Sequence, residues 1–166
     1  MKPETFHIQN NSINKDAARS VKDTLEGPTF SWFYYNYVDY PPCKSFKLYN
    51  EIIKDSNLVH KLFLNYLLMI KPILKKLTPH KKIHSAACQL LTNTTEPIKY
   101  PVTSHKPNTK VGIFFANTNN GGVSLENGKI INSVHNRLIY FSSEPSYNLI
   151  TPTDEKIFTS VIVNYE

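Results

Sequence analysis

The side chains of this 166-residue chain that could ligate a metal or move a proton include six histidines, two cysteines and thirteen acids. Their spacing follows no local ligand rule. Cys43 and Cys88 lie far apart and form neither a paired metal motif nor a disulfide framework. His105 and His135 with Glu144 could be imagined as a metal set, but no ligand spacing fits them. His7 and His60 read more simply as solvated side chains. No serine elbow or cysteine–histidine signature marks a nucleophile. Asn119-Asn120-Gly121-Gly122 reads as a hairpin turn, not as a loop that cradles phosphate.

Charge gives a second kind of chemistry. The formal net charge is +6, and Lys71, Lys75, Lys76, His80, Lys81, Lys82 and His84 fall close together. Such a stretch allows a nucleic-acid partner. It also suits the negative end of a helix dipole, which is the plainer reading. No helix-turn-helix, zinc finger or aromatic-basic RNA motif accompanies it.

The elements that must position these groups differ along the chain. Residues 1–25 are polar and read as an arm preceding a single domain over 26–166. Phe30, Trp32, Phe33, Tyr34, Tyr35, Tyr37 and Tyr40 then crowd into a segment closed by Pro41-Pro42. That density could stack bases, but it more often covers a core. Leu58, Leu62, Tyr66, Met69 and Ile73 recur at helical spacing, which predicts a helix over 57–77, kinked or divided at Pro72. After residue 82 the period turns strand-like. Runs at 83–91, 111–117, 122–125, 129–134, 137–142 and 157–165 are rich in Ile, Val, Phe and Tyr. Asn127-Gly128 predicts a type I′ hairpin. A helix followed by at least six short strands means a sandwich or barrel with a helix packed on it. No secretory leader is apparent, and the apolar run 62–70 is too short to span a bilayer.

The motifs of the second half carry a resemblance. Asn117 to Gly121, Glu126 to Gly128, Ser133-Val134, Asn136-Arg137-Leu138, Phe141, Thr153 to Lys156 and Asn164-Tyr165 fall in order and at matching intervals. With Phe30 to Tyr34, Gln89-Leu90 and Asn93-Thr94 upstream, they resemble the small prolyl-hydroxylase-like 2-oxoglutarate/iron(II) oxygenases carried by many marine phages. The resemblance spans about residues 25–166. It implies a mainly β fold with some helix: a double-stranded β-helix of the jelly-roll kind with a supporting helix before it.

That chemistry holds iron(II) on one face with two imidazoles and a carboxylate. An arginine clamps the far carboxylate of 2-oxoglutarate through a bidentate pair. The resemblance places the His-x-Asp step near Tyr100 to Lys106, where Thr103 and His105 stand and no acid lies between Glu96 and Glu126. With Phe141 and Asp154 as anchors, the second histidine becomes Tyr147, and the glycine two residues on becomes Leu149. The clamp arginine becomes Phe158, and the tyrosine beside the cosubstrate becomes Leu91. The resemblance thus implies vacated positions, with no catalytic residue, metal or cofactor expected. The functional expectation is a non-catalytic scaffold that binds other protein chains through Trp32, Tyr34, Tyr35 and Tyr37, in a phage particle or the host cytoplasm. A divergent dioxygenase and a basic nucleic-acid binder are the alternatives.

Overall fold

The computed structural model describes residues 6–34, 47–77, 82–102, 109–142 and 146–166. Its organising element is β12 (Ile157–Tyr165), a nine-residue strand buried over most of its length. Phe158 and Ile162 project to one face, and Val161, Val163 and Tyr165 to the other. Such two-sided burial requires cover on both faces of the sheet.

Eight strands form the larger sheet. They run β1 (His7–Gln9), β10 (Arg137–Ser142), β7 (Lys110–Phe115), β12, β5 (Ile83–Thr92), β3 (Lys47–Lys54) and β2 (Phe33–Tyr34), with β4 (Asn57–Leu58) also paired to β3. The smaller sheet has the order β6 (Lys99–Val102), β11 (Tyr147–Ile150), β8 (Gly122–Leu125) and β9 (Ile130–Asn132). From β5 to β12 the chain winds between the two sheets, and every pairing is antiparallel. This is a double-stranded β-helix with helices on one outer face.

The helices cover the outer side of the larger sheet. In α1 (Lys15–Glu26), Ala18, Val21 and Leu25 are fully buried at helical spacing. Asn14 caps the helix, its Oδ1 accepting from the backbone N–H of Asp16 at 2.8 Å. α2 (Leu64–Leu77) buries Ile70, Ile73, Leu74 and Leu77. Leu77 lies so close to Gly112 of β7 that a Cβ there would collide with it. These residues join Cys88, Phe114, Val161 and Tyr165 in the outer core. The inner core, between the sheets, holds Leu91, Ile113, Phe115, Val123, Tyr147, Leu149 and Phe158.

Several elements differ from the sequence reading. Residues 6–25, expected as an arm, are built into the domain: β1 pairs with β10 and α1 packs on the outer core. Three well-spaced apolar residues suffice to dock a polar helix. The predicted helix over 57–77 begins later, because Asn57 and Leu58 pair with Lys54 and Ile53. A single 3-10 turn, Lys61–Phe63, then leads into α2. Pro72 lies inside α2 without dividing it. Asn119 to Gly122 do not make a hairpin: this stretch carries the chain from β7 in one sheet to β8 in the other. At the β8–β9 hairpin only Gly128 takes positive φ, at 82°. Asn127 instead accepts from the Lys129 N–H at 2.9 Å, so the turn is not type I′.

Candidate functional site

Strand register brings four of the singled-out positions together. Phe158 pairs with Leu91, while Tyr147 pairs with Val102 and Leu125, and Leu149 with Tyr100 and Val123. All four side chains are fully buried in the inner core. Phe158 packs on Phe115 with ring centroids 5.9 Å apart, and Tyr147 meets Phe141 edge-on at 5.3 Å. Thr103 and His105 lie outside the described residues. Val102, immediately before them, is the cross-strand partner of Tyr147. Among the described residues no group of three His, Cys, Asp or Glu side chains is placed to hold a metal.

The resemblance motifs converge elsewhere, at the corner where β7 leaves the larger sheet. Asn117 Oδ1 accepts from the Thr159 N–H at 3.0 Å and from Asn119 Nδ2 at 3.1 Å. Asn117 Nδ2 donates to the Ile157 carbonyl at 2.9 Å, and Asn119 Oδ1 accepts from the Gly121 N–H at 2.9 Å. A Cβ on Gly121 would press on the Ile150 carbonyl, so the residue keeps this corner narrow. Asp154 accepts from the Asn120 N–H with both oxygens at 3.0 Å, and Asn120 exchanges two further bonds with Thr153. Asn136, at a φ of 62°, accepts from Ser12 Oγ and the Ile13 N–H and donates to the Ile13 carbonyl. Arg137 donates to Asn10 Oδ1 at 2.8 Å and to the Asn132 carbonyl at 3.0 Å. Asn117, Asn119 and Asn136 satisfy backbone that would otherwise be buried without partners, while the bonds of Asp154 and Arg137 tie the chain at the exposed rim, so their role is architectural.

Burial also sets the protonation of three groups. Desolvation lowers the Lys47 ammonium to about 8. It pushes the Cys88 thiol up, leaving it protonated and unreactive. Tyr165 is pushed up to about 12 by burial and then by the neighbouring Tyr140. Lys47 was not visible as a candidate in the sequence. In KLYNEII it shares the polar face of Lys47, Tyr49 and Glu51, which reads as solvent-facing.

The aromatic segment splits. Phe30 is buried, with Trp32 and Tyr66 rings 4.5 and 4.4 Å away. The Trp32 indole donates to the Leu25 carbonyl at 3.2 Å, which ties it to α1. Phe33 and Tyr34 are 53% and 61% exposed. Tyr35 and Tyr37 lie outside the described residues. Val59, Leu62, Leu64 and Leu68 are exposed as well, and Phe33 meets Phe63 at 6.4 Å, so β2 adjoins the start of α2. The cations Lys71, Lys75 and Lys76 are exposed on α2, two of them in its last turn. No helix among the described residues is long and apolar enough to cross a membrane.

Comparison with solved structures matches this topology to 2-oxoglutarate/iron(II) oxygenases. An oxidoreductase of that family from Burkholderia pseudomallei superposes with a TM-score of 0.64 at 11% identity, covering 97% of this chain and 84% of the other. A Pseudomonas putida prolyl-4-hydroxylase gives 0.52 at 10% identity over 99% and 93%. The epimerase SnoN from nogalamycin biosynthesis gives 0.64 at 7% identity over 98% and 78%. At such identities the likeness is one of fold. No family model matches the sequence, and no curated protein is similar to it.

Proposed function

We propose that this chain keeps the oxygenase scaffold without its chemistry and acts by contact, as a structural or protein-binding component of an assembly such as a phage particle. The observation that carries this reading is the inner core. At the positions that the resemblance gives to the second imidazole, the clamp arginine and the cosubstrate tyrosine stand Tyr147, Phe158 and Leu91, all fully buried among apolar side chains. A phenol, a phenyl ring and an isobutyl group do not fit iron(II) and 2-oxoglutarate. The metal wants imidazole and carboxylate donors. The cosubstrate carboxylate would be desolvated against Phe158 without a partner.

Contact needs surface, and the exposed apolar side chains of β2 and the start of α2 supply it. Phe33, Tyr34, Leu62, Leu64 and Leu68 are types enriched at interfaces or costly to leave in water. The test combines anaerobic reconstitution with iron(II) and proteomics of purified particles. The expected outcome is substoichiometric iron, no 2-oxoglutarate turnover above a boiled control, and co-purification with an assembly. Stoichiometric iron with turnover would establish the divergent dioxygenase instead.

A further inference from the structure

Lys15, Arg19 and Lys22 recur one turn apart on α1, and all three line a cleft of about 600 Å³ between this helix and the His135-Asn136 turn that leads into β10. Cations stacked this way repel one another, and Lys15 also lies at the positive end of the helix dipole. Little in the protein offsets this. The Lys15 and Arg19 side chains form no ion pair or hydrogen bond among the described residues, and Lys22 reaches Glu26 only at 3.9 Å. Asp23, one turn beyond Arg19, lines the cleft without pairing to any of the three. The opposite wall is fixed. His135 Nδ1 lies 2.7 Å from the Ala116 carbonyl, which can only accept, so Nδ1 carries the hydrogen and the neutral ring presents Nε2 as an acceptor. The His135 N–H donates to Thr118 Oγ1 at 2.9 Å, and Asn136 is held by Ser12 and Ile13.

We propose that this cleft binds the phosphate monoester of a small polyhydroxylated body, such as a sugar phosphate. Three cations and one acid leave a net charge that matches a phosphate monoester, which is close to a dianion at neutral pH. The phosphoryl oxygens accept from Lys15, Arg19 and Lys22, and the guanidinium can engage two of them at once. The Asp23 carboxylate and His135 Nε2 accept from hydroxyls of the body, which a bare phosphate does not offer. The volume suits such a ligand, being that of a small-molecule cleft. Nucleic acid fits less well, because no Phe, Tyr or Trp ring lines the cleft for a base to stack on, and Asp23 repels a run of phosphates. Such a site adds to a scaffold acting by contact and does not depend on it, since α1 lies outside the larger sheet and away from the inner core.

The test titrates the full chain, in EDTA at low salt, with glucose 6-phosphate, ribose 5-phosphate, inorganic phosphate, glucose and a thymidine oligonucleotide, by calorimetry and thermal shift. The expected result is saturable binding of at least one sugar phosphate and none of glucose. Inorganic phosphate should be weaker by about tenfold or more, because Asp23 and His135 then lack hydroxyls to accept from. Arg19→Gln lowers the affinity for the ester by about tenfold or more, and Lys15→Gln weakens it as well. Asp23→Asn tightens inorganic phosphate and narrows its gap from the ester. Lys75→Gln and Lys76→Gln each remove one charge from the exposed end of α2 and leave binding unchanged. All five substituted side chains are exposed, so the variants keep the fold. No saturable binding at millimolar concentration would overturn the proposal. So would inorganic phosphate binding as tightly as the esters, an oligonucleotide preferred to them, or an equal loss in the Lys75 and Lys76 variants. None of these measurements involves iron, turnover or particles, so a failure here is distinct from a failure of the contact reading.

Discussion

At the corner between the sheets, Asn117 and Asn119 are buried nearly as deeply as Phe158 and Leu149 are between them. One pair is amide and the other hydrocarbon. The amides persist because each lies where the chain turns out of a sheet and leaves backbone N–H and carbonyl groups unpaired. Nothing in the backbone of β11 and β12 asks for a particular side chain at Tyr147 or Phe158, where ladder hydrogen bonds already satisfy the main chain. Residues that hold the fold are therefore constrained by the fold, and residues that face its interior only by volume.

The contrast can be attacked most directly from the interior. Phe158→Arg should unfold the domain or cost roughly 3–5 kcal/mol in urea denaturation, because it buries a charge where apolar side chains close around it. A midpoint equal to wild type would mean that the inner core is open to water and the contrast false. Asn117→Ala should come next, at about 3 kcal/mol, since it strands the Thr159 N–H and the Ile157 carbonyl inside the corner.

Lys47→Met should move stability the other way. The folded pKa of Lys47, about 8, lies below its ordinary 10.5. The unfolded chain therefore binds more protons between those values, and the penalty of the buried charge is present below about pH 8. At ~1.4 kcal/mol per pH unit the penalty reaches roughly 3 kcal/mol at most. The variant should accordingly be more stable than wild type at pH 7, with the gap narrowing from pH 8 to 10.5. A gap that does not change with pH would show that the amine is solvated. Asp154→Ala should have the smallest effect, about 1 kcal/mol or less by thermal denaturation, since its bonds to Asn120 lie in solvent.

The strands were legible where alternation or apolar runs were long. The predicted 122–125, 137–142 and 157–165 coincide with β8, β10 and β12. The likeness of the motifs to the oxygenases gave the double-stranded β-helix, which composition alone left as sandwich or barrel. Hidden elements were those whose apolar signal is thin. α1 buries only Ala18, Val21 and Leu25 among mostly polar residues, and β3 hides a buried lysine on its polar face. Asn119 to Gly122 misled because the residues that favour a hairpin also favour any tight corner, and only partner strands tell the two apart.

The place of β12 has a consequence for how the chain comes to be folded. It sits at the centre of the larger sheet, bonded along one edge to β5 and along the other to β7, both of which are synthesised long before it. Until Ile157–Tyr165 has left the ribosome, β5 and β7 each expose an edge of backbone N–H and carbonyl groups with nothing to pair. The nascent domain must hold those edges apart and wait for its last strand. Folding is then governed by distant pairings and slow closure, and a chain that stops before Ile157 should accumulate as aggregate rather than as a smaller folded domain.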